Sequence, residues 1–424
     1  MKIEKIYKIY QQFPNVQTDS RKIQKDEIFF ALKGPNFNGN TFAQKAFDLG
    51  AAYVIADENS GFTDKKIIMV NDALETLQQL AKHHREQFDI PFIAITGSNG
   101  KTTTKELIHE VLSTTYKTYT TKGNLNNHIG IPLTILKIKP DAEIAVIEMG
   151  ANHLNEISGY CEYAKPLYGL ITNIGKAHLE GFGSEENVKK GKGELFDYLE
   201  KNGGTAFVNT DDVAVFDLSQ KLSKVIYYGS KSNNLKGKII KNDPLIEVEI
   251  EGENLLNIPT NLVGAYNLPN ILAAVSIGKY FAVNEQKIKK AIREYQPSNS
   301  RSQLIKKDSN SIILDAYNAN PGSMKAAIEN FANMHGNKKI LLLGSMMELG
   351  EDSQKEHEAI VSLINKNKWN AVVLVGKNFN QIKQDFINFE NSSQAKEWLK
   401  KEDPKNAQIL IKGSRSMQME KVLE

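Results

Sequence analysis

The amino-acid sequence predicts an α/β protein with three domains. The chain has 424 residues, too many for one compact core. Short apolar runs alternate with helical patterns, and this alternation starts again after a polar segment at 295–300. We therefore expect a small N-terminal α/β domain at 1–84, a central domain with a mostly parallel sheet at 85–297, and a C-terminal α/β domain at 298–424.

The first predicted domain contains three apolar runs, at 27–32, 52–55 and 67–70, which we interpret as strands. A helical pattern near 73–88 follows them and ends in a charged segment before Pro91, which is typical of a linker. His83 and His84 lie on this polar helix, so we expect both on the surface.

The central domain begins with a strand, a glycine loop and a helix. The apolar run 92–95 leads into Gly97 and Gly100, and Lys101 and Thr102 follow at the start of the helix. Glycines let successive backbone N–H groups point at one anion, and the helix N-terminus adds partial positive charge. Lys101 supplies a cation, and the Thr102 hydroxyl suits a magnesium ion that bridges phosphates. Since the two glycines are closer together than in the common pattern G-x-x-x-x-G-K-[ST], we interpret this segment as a short variant of the phosphate loop.

Further strands are predicted at 144–147, 169–172 and 206–208, and functional groups gather at the carboxyl ends of such strands. Glu148 follows the first of them, and magnesium prefers carboxylate ligands. A solvated glutamate is the alternative, but the nearby phosphate loop favours a metal ligand.

Three histidines and one lysine are less informative from spacing alone. His178 follows the strand at 169–172, where a structural or solvated histidine is the favoured interpretation. Lys192 lies between two glycines in what composition suggests is a solvated basic turn. The roles of His128 and His153 stay open.

The last third of the chain has apolar runs at 312–314, 340–343, 372–375 and 409–411, with helical patterns such as 324–334 between them. This alternation indicates a second, smaller parallel sheet in a Rossmann-like α/β domain.

Composition limits the classes of partner. Lys plus Arg minus Asp plus Glu is 53 − 50 = +3, and no local basic stripe is present, so we expect no nucleic-acid partner. Cys161 is the only cysteine, which excludes an intrachain disulfide. Charges interrupt the first 13 residues, and no apolar run approaches the roughly 18 residues of a membrane helix. We expect a cytoplasmic monomer without a transmembrane segment.

Five segments together resemble the Mur ligases, ATP-dependent amide-bond-forming enzymes of peptidoglycan precursor synthesis. The resemblance covers nearly the whole chain and includes the short glycine spacing of the loop. It is closest to the members that add D-alanyl-D-alanine to UDP-MurNAc-tripeptide, and it implies a role in cell-wall biogenesis, cell shape and cell division. The segments are 96–103, 123–127, 148–153, 315–321 and 412–415.

The resemblance implies a central ATPase domain, with ATP and Mg²⁺ as cofactors. It implies that Thr102, Glu148 and His178 bind magnesium and that Lys192 reacts with carbon dioxide to give a carbamate, which reverses the interpretation from composition. Lys101, Lys192 and His178 would be catalytic. The implied ATP-binding residues are Gly97, Ser98, Asn99, Gly100, Lys101, Thr102, Thr103, Asn267, Arg301 and Asp315.

By the same resemblance, the first domain binds the uridine nucleotide sugar. The implied substrate-binding residues are Ser20, Arg21, Asn124, Asn126, Asn127, Tyr317, Asn318 and Asn320. The chain departs from the family pattern at Asn38-Gly39-Asn40, usually Asp-Gly-His, at Ser345, usually aspartate, and at Tyr266, commonly histidine.

The implied reaction joins D-alanyl-D-alanine to the tripeptide carboxylate through an acyl phosphate. Two other functions stay open from sequence: a ligase of the same family with a different acceptor, and a nucleotide-dependent switch that makes no amide.

Overall fold

The computed structural model describes residues 2–59, 61, 64–251 and 256–424. Met1, at the start of the first predicted domain, lies outside these residues. In the described part of the chain, the strands form three main sheets within 16–69, 92–263 and 303–412. The three-domain α/β fold class is confirmed, while the domain boundaries stay a prediction.

The N-terminal unit is a small parallel sheet with helices around it. Its elements are α1 (Ile3–Gln12), β1 (Val16–Gln17), β2 (Ile28–Phe30), β3 (Lys33–Gly34), β4 (Phe37–Asn38), a 3₁₀ turn (Gly39–Phe42), α2 (Ala43–Asp48), β5 (Tyr53–Ala56), β6 (Ile67–Met69) and α3 (Ala73–Arg85). The described strands pair in the order β1-β2-β5-β6, all parallel, and β3 and β4 form a separate hairpin. The central strand β2 is buried along its whole length because both faces are covered.

The C-terminal end of helix α3 forms hydrogen bonds with the central domain. His84 is buried, with Nδ1 3.0 Å from the Tyr7 hydroxyl and Nε2 2.9 Å from the carbonyl oxygen of Ile138. The Arg85 guanidinium donates to the carbonyl oxygen of Ala164 at 3.0 Å. The prediction of a surface position was wrong for His84, because the central domain covers this side of the helix. The linker that we predicted after this helix therefore follows residues that are bound to the central domain.

The central domain is the largest of the three. Its elements are β7 (Phe92–Thr96), α4 (Lys101–Ser113), β8 (Thr118–Thr120), α5 (Gly130–Ile135), β9 (Ile144–Glu148), α6 (Glu156–Ala164), β10 (Tyr168–Ile171), α7 (Leu179–Phe182), α8 (Glu185–Lys201), β11 (Thr205–Asn209), α9 (Val213–Ser219), β12 (Val225–Gly229), β13 (Leu235–Asn242), β14 (Leu245–Ile250), β15 (Leu256–Val263), a 3₁₀ turn (Ala265–Asn267), α10 (Leu268–Tyr280) and α11 (Glu285–Glu294).

The order of strands in this sheet brings the predicted site together. Among the described residues, nine strands pair in the order β15-β14-β13-β12-β11-β10-β7-β9-β8. β7 lies between β9 and β10 and is parallel to both, with Ile95 opposite Glu148 and Thr96 opposite Ile171. The carboxyl ends of these strands therefore meet at the phosphate loop. The antiparallel extension β13–β15 was not predicted, although β14 alternates partly buried and buried residues.

The C-terminal domain repeats the parallel pattern. Its elements are β16 (Gln303–Lys307), β17 (Asn310–Asp315), α12 (Pro321–Asn333), β18 (Lys339–Gly344), a 3₁₀ turn (Gly350–Asp352), α13 (Ser353–Ile364), β19 (Ala371–Val375), α14 (Lys377–Asn380), β20 (Ile387–Phe389), α15 (Ser392–Glu402), β21 (Gln408–Lys412) and two 3₁₀ turns (Arg415–Met417 and Met419–Leu423). The described strands pair in the order β16-β17-β21-β18-β19-β20, and β16 pairs antiparallel to β17. None of the helices in the described ranges is long and apolar enough to cross a membrane.

Candidate active site

The phosphate loop connects β7 to α4 and depends on its two glycines. Gly97 has φ +140° and Gly100 has φ +78°, a region that side chains rarely adopt. A Cβ atom at Gly97 would lie 2.0 Å from the Thr172 hydroxyl oxygen, and one at Gly100 would lie 2.6 Å from Oδ1 of Asn270. Both positions therefore require glycine for conformation and for space.

Lys101, the first residue of α4, folds back over this loop. Its ammonium donates to the carbonyl oxygens of Gly97 at 2.6 Å and Ser98 at 3.2 Å. Burial lowers the pKa of Lys101, and the nearby Glu148 carboxylate opposes this shift. The cation thus lies where a phosphate on the loop would meet it.

Glu148 lies at the end of β9 in a buried polar cluster. Its Oε1 accepts hydrogen bonds from the Thr102 hydroxyl at 3.1 Å and from the Asn126 amide at 2.7 Å. Its Oε2 lies 3.7 Å from Nζ of Lys105, which donates to the carbonyl oxygen of Thr121 at 2.7 Å. In the described part of the chain, Oε2 has no hydrogen-bond donor. This oxygen is therefore suited to a cation.

His178 lies between the central and C-terminal domains. Its Nδ1 lies 2.8 Å from Oε2 of Glu348, and hydrogen bonding to His178 lowers the pKa of that carboxyl. His178 lines the same cleft as Glu148 and Lys101. Its proposed role as a magnesium ligand stays a prediction.

Lys192 lies on α8 and is buried, whereas Lys190 on the same helix is exposed. The Lys192 ammonium donates to the carbonyl oxygen of Ala151 at 2.8 Å and lies 5.2 Å from the ring centroid of Phe182. Burial, and secondarily the charge of Lys101, hold the pKa of Lys192 well below its usual value. The interpretation of Lys192 as a solvated lysine in a turn was wrong, because this face of α8 packs into the domain.

The C-terminal domain contributes Asp315 at the end of β17. Its Oδ1 accepts a hydrogen bond from the backbone N–H of Ser302 at 3.0 Å, and its Oδ2 pairs with the buried ammonium of Lys412. The Arg301 guanidinium carbon stacks 3.5 Å from the ring centroid of Tyr317. Because Arg301 precedes β16 and Asp315 ends β17, the hairpin of these strands brings both side chains to the cleft.

Asn320 joins the two domains directly. Its Nδ2 donates to Oδ1 of Asn99 in the phosphate loop at 2.8 Å, while its Oδ1 caps α12 by accepting from the backbone N–H of Ser323 at 2.9 Å. The loop and the C-terminal domain are therefore in contact.

The side-chain amides of Asn267 and Asn127, two further predicted site residues, form hydrogen bonds within the protein. Asn267 donates to the carbonyl oxygen of Val263 at 2.9 Å and accepts from Asn270 at 2.8 Å. The Oδ1 of Asn127 accepts from the N–H groups of Ile129 and Gly130 at the start of α5. Beyond these bonds, Asn267 keeps one N–H and one lone pair, and Asn127 keeps both of its N–H groups.

Most predicted site residues line one cleft of about 630 Å³ between the central and C-terminal domains. Those that line it are Ser98, Asn99, Gly100, Lys101, Thr102, Thr103, Asn124, Asn126, Asn127, Glu148, His178, Asn267, Arg301, Asp315, Tyr317, Asn318 and Asn320. Gly97 and Lys192 are not among the residues that line it. Ser20 and Arg21 do not reach it; the exposed Arg21 guanidinium pairs with Asp19 at 2.8 Å.

Sequence reasoning gave no role to four residues that hold parts of the site in place, although one of them, Lys412, lies in the segment 412–415 that contributes to the resemblance. Asn173 follows β10 and binds the phosphate loop, accepting from the backbone N–H of Asn99 at 2.9 Å. Lys105 neutralises Glu148, Asn270 holds Asn267, and Lys412 holds Asp315. The position of Asn173 at the carboxyl end of a parallel strand was a usable signal. The other three depend on tertiary contacts.

Three family models match successive parts of the chain, and all three describe Mur ligases. Residues 12–85 match the Mur ligase family catalytic domain, residues 95–278 the Mur ligase middle domain, and residues 300–415 the Mur ligase glutamate ligase domain. The UDP-N-acetylmuramoyl-tripeptide–D-alanyl-D-alanine ligase of Bacillus subtilis (strain 168) is 35% identical over 423 residues, which cover 96% of this chain and 92% of that protein.

Two solved structures share the fold over the same length. The crystal structure of MurF from Acinetobacter baumannii matches with a TM-score of 0.87 at 28% identity, covering 96% of this chain and 92% of that one. The structure of MurF ligase from Thermotoga maritima in complex with ADP matches with a TM-score of 0.86 at 26% identity, covering 96% of both chains. Since the matches extend over all three domains, the chain belongs to the Mur ligase family.

Proposed function

We propose that this protein is an ATP-dependent ligase that joins D-alanyl-D-alanine to the terminal carboxylate of UDP-MurNAc-tripeptide in peptidoglycan precursor synthesis. One observation carries the proposal above all: the phosphate loop and the C-terminal residues Arg301, Asp315 and Asn320 line a single cleft. Relatives that match nearly the whole chain bear the name of this activity. The tripeptide ligase is therefore favoured over a switch that makes no amide.

ATP lies across the two domains in this proposal. The backbone N–H groups of the loop and the Lys101 ammonium bind its phosphates. Asn267 contacts the adenine, and Arg301 and Asp315 reach the nucleotide from the C-terminal domain, with Asp315 toward the ribose. The ADP complex of the Thermotoga maritima relative supports nucleotide binding by this fold.

The reaction has two steps. The tripeptide carboxylate attacks the γ-phosphorus of ATP, the bond to the bridging oxygen breaks, and ADP leaves with that electron pair. Lys101 neutralises charge on the transferring phosphoryl group. The free amine of D-alanyl-D-alanine then attacks the acyl phosphate carbonyl, loses a proton and expels inorganic phosphate. The product is UDP-MurNAc-pentapeptide.

The polar groups near the loop fit a magnesium ion. Glu148 offers a buried oxygen without a hydrogen-bond donor, and the Thr102 hydroxyl adjoins its other oxygen. Within the described ranges, no three His, Cys, Asp or Glu side chains form a metal cluster by themselves. This suits magnesium, which is usually bound by one or two carboxylates together with substrate phosphates and water. When bound, it neutralises phosphate charge; Thr102, Glu148 and His178 would hold it.

Lys192 is proposed to form a carbamate that serves as a further magnesium ligand. Only a neutral amine attacks carbon dioxide, and burial lowers the pKa of Lys192 and so favours the neutral form. The reaction joins Nζ to the carbon of carbon dioxide and releases a proton, and the resulting anion is an oxygen ligand. The hydrogen bond to Ala151 would have to open for this group to face the cleft.

The remaining assignments concern the substrates and the form of the protein. We place the uridine nucleotide sugar at Ser20 and Arg21 and the peptide substrates at the amides and the tyrosine of the cleft, which are Asn124, Asn126, Asn127, Tyr317, Asn318 and Asn320. We propose a monomer located in the cytoplasm, where ATP is available for the reaction.

The test measures ADP and phosphate release with ATP and magnesium, with and without each substrate, followed by mass analysis of the product. Release that requires both UDP-MurNAc-tripeptide and D-alanyl-D-alanine, with a pentapeptide product, is expected. Release without either substrate would refute the ligase function. Turnover with a single amino acid in place of the dipeptide would identify a ligase of the same family with another acceptor.

A further inference from the structure

The segment that follows β10, residues 172–178, is bound to the phosphate loop on one side. Asn173 accepts from the backbone N–H of Asn99 at 2.9 Å and donates to its carbonyl oxygen at 3.0 Å. The Ser98 hydroxyl donates to the carbonyl oxygen of Gly175 and accepts from its N–H, both at 3.0 Å. We call residues 172–178 the coupling segment. Its position fixes the direction of the loop backbone at two successive residues.

On its other side, the coupling segment is bound to the C-terminal domain. The Lys176 ammonium lies 2.7 Å from Oε1 of Glu356 on α13, and the side chain of Glu356 is only 9% exposed. Farther along, the backbone N–H of Glu180 donates to the carbonyl oxygen of Glu348 at 3.2 Å. The same short stretch of the central domain therefore contacts both the nucleotide loop and the second half of the cleft.

Lys176 has a second acidic neighbour within its own domain. Oε1 of Glu185, the first residue of α8, lies 3.5 Å from the same ammonium, and this carboxylate is 62% exposed. The pair with Glu356 is both closer and more shielded, so it is the stronger of the two. If the two domains separate, Lys176 keeps Glu185 and loses Glu356. The Glu356 pair therefore stabilises only the arrangement in which the domains meet.

We propose that Lys176 is a positioning residue, whose pair with Glu356 couples the approach of the C-terminal domain to the geometry of the phosphate loop. The proposal rests on the ligase function proposed above, since it assumes that ATP reacts between these two domains. Small displacements of reacting groups reduce rate strongly, and closure of two domains commonly completes a catalytic site. The pair would act on the rate of phosphoryl transfer more than on the initial binding of ATP.

The first experiment compares the steady-state kinetics of Lys176→Met, Glu356→Gln, the double variant that carries both of these changes, and the conservative Lys176→Arg. We expect Lys176→Met and Glu356→Gln to lower kcat about tenfold, equivalent to about 1.4 kcal/mol, with a smaller change in the KM for ATP. Lys176→Arg should stay close to the wild type, and the double variant should lose no more activity than Lys176→Met alone, because the two changes remove the same ion pair.

The matched control is His335→Gln. His335 also pairs across the two domains, with Asp243, but it is 93% exposed and has no part in the coupling segment. We expect its kcat to equal that of the wild type. An equal loss in His335→Gln and Lys176→Met would overturn the proposal, as would wild-type kcat in Lys176→Met. Failure of Lys176→Arg to retain activity while the protein stays folded by calorimetry would also overturn it.

Small-angle X-ray scattering with and without magnesium and ADP separates this proposal from the ligase function. We expect ADP to reduce the radius of gyration of the wild type and to reduce it less in Lys176→Met. Equal compaction of the two would overturn the coupling. A wild type that compacts with ADP but makes no pentapeptide would instead refute the ligase function.

Discussion

Replacing Lys105 with methionine should strongly destabilise the central domain, because it removes the cation beside Glu148. Both side chains are 2% exposed, and Nζ lies 3.7 Å from Oε2. Removal of one partner of a buried ion pair costs about 3–5 kcal/mol. Thr102 and Asn126 still bind the other oxygen of Glu148, so we expect the lower end, about 3 kcal/mol. For a domain of roughly 200 residues this lowers Tm by about 6–12 °C.

Differential scanning calorimetry is the assay of choice. The two tryptophans, Trp369 and Trp398, both lie in the C-terminal domain. Their fluorescence would therefore report the unfolding of that domain and not of the central domain. Lys117→Met is the control, because Lys117 pairs with Asp141 at 3.8 Å on the surface of the same domain, with both side chains more than half exposed. Its loss should stay within about 0.5 kcal/mol.

A second substitution tests the cause of the destabilisation. Lys105→Met combined with Glu148→Gln should be more stable than Lys105→Met alone, since the uncompensated carboxylate is then absent. The reasoning would be refuted if Lys105→Met lost no more stability than Lys117→Met, or if the double variant were no more stable than the single one.

Three further predictions concern the cleft and the domain junction. Lys192→Ala should be inactive even with excess bicarbonate, and full activity would remove the carbamate proposal. Asp315→Ala should raise the KM for ATP, because it removes the proposed ribose contact, and an unchanged KM would contradict that role. Burial lowers the pKa of His84 from 6.5, so the unfolded chain binds the proton first, and the free energy of unfolding should fall as pH drops below 6.5. For the His84→Gln variant, calorimetry should show a smaller fall in the free energy of unfolding. A pH dependence identical to that of the wild type would contradict this role of His84.

The sequence could predict those parts of the fold that depend on patterns among residues close together in the chain. The strand, loop and helix from Phe92 to Ser113 combine an apolar run, two required glycines and a helical pattern within about 20 residues. Likewise, placing Glu148 beside the loop needed only the rule that parallel strands end at one edge. Such features depend on neighbours in the chain.

The parts that sequence missed depend on contacts between distant elements. His84 and Lys192 both looked like solvated residues of polar segments, yet each is buried by an element more than 40 positions away. The pairing of Lys176 with Glu356 joins residues 180 positions apart. No periodicity encodes such contacts, and only the family resemblance indicated a role for Lys192.

The most direct test of the central claim follows oxygen-18 from the tripeptide to phosphate. UDP-MurNAc-tripeptide labelled in its terminal carboxylate is incubated with ATP, magnesium and D-alanyl-D-alanine, and the inorganic phosphate is analysed by mass spectrometry. Attack of the carboxylate on the γ-phosphorus transfers one carboxylate oxygen, so the released phosphate should carry the label in step with pentapeptide formation. Unlabelled phosphate accompanying pentapeptide would contradict the acyl phosphate route.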